Sequence, residues 1–154
     1  MAVTVRPATR ADLDQLIAFN ASMAQETEGK RLDPARLQPG VAAVLADTGR
    51  GRYLVAELGG RVAGALLLTR EWSDWRNGWF WWIQSVYVVP EARGRGVYRA
   101  LHESVLAEAR ADTQVCGVRL YVDQDNRAAQ ATYAAVGMRR THYLFYEEDF
   151  TAPA

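Results

Sequence analysis

A run of β-branched and aromatic residues passes through a basic, glycine-containing turn into an amphipathic stretch: Val86-Tyr87-Val88-Val89-Pro90-Glu91-Ala92-Arg93-Gly94-Arg95-Gly96-Val97-Tyr98-Arg99-Ala100-Leu101. A strand that hands over to a helix through such a turn suits an anion. Amides of a helix's first turn have no carbonyl in a preceding turn, and the helix dipole adds partial positive charge there. Gly94 and Gly96 let the backbone approach a ligand closely, having no Cβ, and Arg93, Arg95 and Arg99 offer guanidinium groups to phosphate oxygens. On this turn alone, a connecting loop with solvated arginines fits equally well. It is not a Walker loop, since no Gly-Lys-Ser/Thr follows, and the third glycine of a dinucleotide fingerprint is missing.

A second segment, Asp125-Asn126-Arg127-Ala128-Ala129-Gln130-Ala131-Thr132-Tyr133-Ala134-Ala135-Val136-Gly137-Met138, carries Asn126, Ala129 and Tyr133 at i, i+3, i+7, on one helix face. Its alanines leave that face low enough for a thin chain to lie against. In isolation the plainer account is stronger: Asn126 caps the helix, Ala129 packs and Tyr133 is a core aromatic.

The elements that must position these groups are readable around them. Val3 and Val5 alternate in a short first strand; Thr9 and Asp12 resemble a capping box before a helix fading near Gly29; Asp33-Pro34 starts a second helix closed by Gly49 and Gly51. Strands are expected over 52–58 and 61–69 around a Gly59-Gly60 turn, then over 79–89, ended by Pro90. A helix to about Arg110, a strand over 118–122, a helix over 126–136 and a last strand or pair of strands over 138–148 complete the chain. The step from 79–89 through a helix to 118–122 has the length of a crossover, so those strands can run parallel.

The turn resembles the acetyl-CoA signature of the GNAT acetyltransferases, Gln/Arg-x-x-Gly-x-Gly/Ala, read here as Arg93-Gly94-Arg95-Gly96-Val97-Tyr98. Asn-x-x-Ala-x-x-x-Tyr resembles that family's second segment, and the element order resembles its fold over nearly the whole chain. Tyr98 departs, standing where the family usually has a small residue. The resemblance implies a mixed α/β (α+β) domain over 1–154: a central, mostly antiparallel sheet with a parallel pair splayed at the cofactor site, flanked by four helices. It implies acetyl-CoA as cosubstrate, no metal, and direct attack by a primary amine of a small molecule or peptide. Val86, Tyr87 and Val88 would supply the oxyanion's backbone donor, Arg93 to Arg99 the phosphate turn, Asn126 and Ala129 the pantetheine face, and Tyr133 the proton for the departing thiolate. The family often pairs, so a homodimer is compatible with it.

An amine with pKa about 10.4 costs roughly 4 to 5 kcal/mol to deprotonate at pH 7, so a base or water relay is expected. Glu71 ranks first and Asp74 second, although both also suit solvated loop charges. All five tryptophans fall between positions 72 and 82. Alternation puts Trp79 and Trp81 on one face and Trp82 on the other, with at least one entering the core. If the cluster is an acceptor pocket rather than sheet packing, Trp72 and Trp75 are its walls, with Glu71, Asp74, Glu26 or Glu28 attracting a cation.

The 154 residues suit one domain, and 18 basic residues cancel 18 acidic ones, which argues against a nucleic-acid partner. The lone Cys116 reads as a small half-buried residue and excludes an internal disulfide; His102 and His142 form no metal set. No stretch has membrane-span character and the N-terminus lacks a signal peptide's apolar run, so a cytoplasmic location is expected. Two rivals differ in class. A catalytically silent CoA-binding sensor would bind without turnover. An interaction module built on the tryptophans would not respond to CoA.

Overall fold

The computed structural model describes residues 2–151. Five strands form one sheet in the order β1 (Val3–Pro7), β2 (Arg52–Leu58), β3 (Arg61–Ser73), β4 (Gly78–Val88) and β5 (Val115–Arg119). The first three pairings are antiparallel and β4–β5 is parallel. The helices are α1 (Leu13–Glu28), α2 (Pro34–Ala46), α3 (Val97–Ala111) and α4 (Arg127–Ala135). The expected class therefore holds: a mostly antiparallel sheet with one parallel pair, and four helices. The chain divides between Asp123 and Gln124 into two compact units, the first carrying the sheet and α1–α3, the second α4.

Local chemistry sets the boundaries. The Thr9 amide donates to Asp12 Oδ2 at 2.7 Å, closing the capping box before α1, and Gly29 ends that helix at φ +63°. Asp33 Oδ1 accepts from the Ala35 amide with Pro34 opening α2. One sheet face carries Tyr53, Val55, Ala65 and Tyr87 against Leu16 and Phe19 of α1 and Val41 of α2. By strand alternation Leu54 and Leu66 point to the other face, the side on which Leu101 and Val105 of α3 are fully buried. Each such leucine contributes about 1.5–3 kcal/mol by leaving water. Gly64 brings α3 close: a Cβ there would lie 2.9 Å from the Tyr87 carbonyl oxygen and 3.0 Å from Val97 Cγ1.

Several expectations shift. β3 continues past Thr69 to Ser73, because Thr69 to Ser73 find β4 partners from Trp82 to Gly78. β5 occupies 115–119, three residues earlier than read, because the Gln114 carbonyl accepts from the Trp79 amide and fixes the register. No strand forms over 138–148 among the described residues; alternation there marks side chains such as Leu144 and Tyr146 that stay exposed. No tryptophan is buried. Phe80 takes the core position, while Arg70 lies over Trp79 and Arg52 over Trp81, centroid distances 4.5 and 5.0 Å. Cys116 is exposed rather than half-buried.

Candidate functional site

β4 keeps β3 beside it from end to end but loses its second neighbour partway along. Its parallel pairing with β5 runs only from Trp79 to Trp82, so among the described residues Ile83–Val88 has no strand partner on that edge. On its other edge Tyr87 pairs with Ala65 and Gln84 with Leu67, which sets Ser85 and Val86 against Leu66 alone. Ser85 takes φ +52°, so a β-bulge re-aims the strand at the start of the unpaired edge. Such an edge offers backbone donors and acceptors to an extended ligand. Val86, Tyr87 and Val88 all lie in it.

Beyond Val88 the chain makes a short 3-10 turn, Pro90–Ala92, and reaches the basic turn. Gly94 and Gly96 sit at φ +75° and +80°, and a Cβ on either would meet no protein atom within 4 Å. The main chain there is therefore approachable, and α3 starts immediately after, the Ala100 amide donating to the Gly96 carbonyl at 3.0 Å. Arg95 is exposed and makes no ion pair among the described residues, while Arg99 lies 3.9 Å from Glu103. Val97 and Tyr98 are buried. The Tyr98 hydroxyl lies 3.0 Å from His102 Nδ1, one turn farther along α3, so this residue, unusual at a small-residue position, points away from the glycines. The turn thus sets approachable main chain beside the Arg95 and Arg99 guanidinium groups.

Arg93 behaves differently from its neighbours. Its Nε donates to the Val88 carbonyl at 2.9 Å, its Nη2 donates to Glu26 Oε2 at 2.8 Å, and its guanidinium lies 5.5 Å from the Tyr87 ring centroid. Glu26 Oε1 accepts from the Tyr87 hydroxyl at 3.0 Å. Arg93 holds the Glu26 carboxyl below the usual carboxylate range, and burial, with help from Glu26, pushes the Tyr87 phenol up. Sequence reasoning named Glu26 only among several acids. The available signal was its place at i+7 from Phe19 and i+3 from Met23, which puts a carboxylate at the end of α1's core-facing stripe.

Glu71 lies elsewhere. It pairs in register with Phe80, six residues before Val86, roughly 20 Å along the strand at ~3.3 Å per residue. Its Oε1 accepts from Arg119 Nη1 at 2.9 Å and from the Trp82 indole at 3.1 Å. Asp74 Oδ1 accepts from the Trp75 amide, and Trp75, 86% exposed, stands at the tip of the β3–β4 hairpin. Trp72 packs edge-on against Trp79 at 4.9 Å. Trp79 and Trp81, with Arg52 and Arg70, line an open cavity of about 340 Å³. The expected acceptor residues are thus gathered at the hairpin end, away from the bulge.

On α4, Asn126 Oδ1 accepts from the Ala129 amide at 3.1 Å, so the capping role is present. Tyr133 is half-buried, and burial pushes its phenol up. Among the described residues no group of three His, Cys, Asp or Glu side chains gathers as for a metal, and no helix is long and apolar enough to cross a membrane.

The family model described as the acetyltransferase (GNAT) family matches residues 17–138. A crystal structure of a possible acetyltransferase from Clostridium difficile 630 is 40% identical, with TM-score 0.89 over 99% of this chain and 100% of that one. The mycothiol acetyltransferase of Rhodococcus opacus is 30% identical over 89% of this chain and 52% of its own length, so the chain spans about half of that curated relative. A predicted acetyltransferase from Clostridium acetobutylicum, solved with acetyl-CoA, shares the fold at TM-score 0.75 and 18% identity over 96% of each chain.

Proposed function

This chain belongs to the acetyltransferase (GNAT) family, and we propose that it transfers the acetyl group of acetyl-CoA to a primary amine of a small molecule or peptide. One observation carries the reading: the unpaired β4 edge opens at the Ser85–Val86 bulge and leads, within one short turn, to the approachable glycines that start α3.

In this reading the amides around Gly94–Gly96 and the start of α3, with Arg95 and Arg99, hold the diphosphate. The β4 edge from Val86 to Val88 aligns the pantetheine and acetyl group, and a backbone N–H there stabilises the oxyanion that develops at the acetyl carbonyl. The α4 residues are carried over from the family's second segment, with Asn126 and Ala129 on the pantetheine side and Tyr133 as proton donor to the leaving thiolate. A phenol whose pKa is raised keeps its proton at neutral pH, as a general acid must. Glu71 is left out of the proposal because of its place in the sheet, and Trp72, Asp74 and Trp75 become at most contacts to the far end of a long acceptor.

The test measures the melting shift with acetyl-CoA, then free-thiol release with n-butylamine, tyramine, spermidine and a short peptide with a free N-terminus. A shift plus release with one or more amines is expected. A shift with no release across the panel would favour a CoA-binding sensor, and no shift at all would remove the cofactor assignment.

A further inference from the structure

Arg93 opens the phosphate turn, yet its guanidinium is committed to α1 and β4 through Glu26, the Val88 carbonyl and the Tyr87 ring. Glu26 lies in the last turn of α1, where the helix dipole disfavours a carboxylate, so a cation there has a definite job. Its two oxygens are divided: Oε2 receives Arg93 and Oε1 receives the Tyr87 hydroxyl. Tyr87 is itself in the unpaired β4 segment next to the bulge. Glu26 is thus the acid that geometry ties to the reacting edge, whereas Glu71 is held by Arg119 farther down the sheet.

A diphosphate at Gly94–Gly96 would be a stronger partner for a guanidinium than one half-exposed carboxylate, because it carries more charge and admits bidentate pairing. The N–H that Arg93 gives Glu26 cannot be given fully to both. Resting on the reading of this turn as the diphosphate site, we propose that Glu26 competes with the cofactor's phosphates for Arg93, and that the Glu26–Tyr87 pair, released when the phosphates win, receives the ammonium of the acceptor. The acceptor class follows from the charge: a cationic primary amine, delivered beside the acetyl-bearing edge. Cofactor and amine then bind with positive, reciprocal coupling.

Calorimetric titration of coenzyme A into wild type, Glu26→Gln, Arg93→Ala and the double variant tests the competition, with circular dichroism verifying that each is folded. Glu26→Gln should tighten coenzyme A binding about two- to fivefold, the worth of one exposed ion pair. In the Arg93→Ala background the same change should have no effect. An unchanged affinity in Glu26→Gln, or an equal factor in both backgrounds, overturns the competition. If Glu26→Gln does not fold, Glu26→Ala replaces it under the same criteria. For whichever amine of the panel releases thiol fastest, Glu26→Gln should raise KM roughly tenfold, as for one charge-assisted contact, and lower kcat by less. An unmoved KM overturns the receiver. Coenzyme A failing to bind wild type would instead overturn the phosphate-turn reading itself.

Discussion

The hydroxyl of Tyr98 and Nδ1 of His102 meet at 3.0 Å inside the protein, one helical turn apart on α3, with the histidine only 1% exposed. The pair explains how a tyrosine is accommodated at the start of the helix: its ring packs inward and its polar tip is satisfied. Tyr98→Phe should leave His102 with a lost partner and cost about 1–3 kcal/mol in urea unfolding. Coenzyme A affinity should stay within about twofold, since the ring points away from the glycines. A large loss of affinity with unchanged stability would mean that Tyr98 faces the ligand.

Burial, as the leading cause, lowers the pKa of His102 from its ordinary 6.5, so between that value and its folded pKa the unfolded chain binds more protons than the folded one. Stability from this group is therefore complete above 6.5 and falls as the pH drops below it. Thermal melts from pH 7.5 to 5 should show Tm declining through this window, and a His102→Gln variant should flatten that decline. A Tm constant over the window would show that the histidine is not held neutral.

Asp12 makes a different acid dependence. It is 6% exposed, accepts from Arg6 Nη1 and Nη2 at 2.9 and 3.0 Å and from the Thr9 amide, and Arg6 is the leading cause that holds its carboxyl below 3.8. Because the folded pKa is depressed, its contribution is present above 3.8 and is lost as the pH falls through the folded value. Asp12→Ala should cost roughly 1–2 kcal/mol at pH 7, since it opens the capping box and takes one of the two carboxylates from Arg6, which is partly exposed and keeps Glu57. Chemical denaturation at pH 7 measures the loss.

These contrasts show what sequence could and could not convey. Arg93-Gly94-Arg95-Gly96 and the strand before it were legible because glycines and a strand-to-helix handover are local features. The Ser85–Val86 bulge was not, since one serine within Gln84-Ser85-Val86-Tyr87 is a weak turn signal and the extra residue exists only relative to β3. Glu71 looked eligible because it adjoins the tryptophans in sequence; the register that pairs it with Phe80 moves it away from the bulge. Glu26 was hidden by the converse effect, being 67 positions from the arginine it meets.

The packing under the Gly94–Gly96 turn gives a test that touches none of the proposed ligand groups. Gly64 lies beneath Val97, and a methyl there would approach the Tyr87 carbonyl oxygen to 2.9 Å and Val97 Cγ1 to 3.0 Å. The carbonyl belongs to backbone and cannot step aside without moving β4 at the bulge. Gly64→Ala should therefore destabilise the fold by about 1–3 kcal/mol, the range for overpacking, and weaken coenzyme A binding as α3 and β4 separate. Calorimetry and urea melts on one preparation check both, and an unaffected affinity would mean that the start of α3 is free to adjust.

Glu71 and Tyr133 separate the chemistry by location. Glu71→Gln should remove the charge from the Arg119 pair yet leave the pH–rate profile unchanged, since the side chain sits roughly 20 Å along the strand from the bulge at ~3.3 Å per residue. Tyr133→Phe removes only a hydroxyl from a half-buried ring, so the melting shift with acetyl-CoA should persist. If that hydroxyl protonates the departing thiolate, kcat should fall about 10²- to 10⁴-fold with little change in the amine's KM. Activity in the wild type should also decline at high pH as the phenol ionises, and because burial raises that pKa the decline should begin above pH 10, with the variant lacking it. A Tyr133→Phe enzyme that turned over normally would require the proton to reach sulfur from solvent, and would remove Tyr133 from the chemistry.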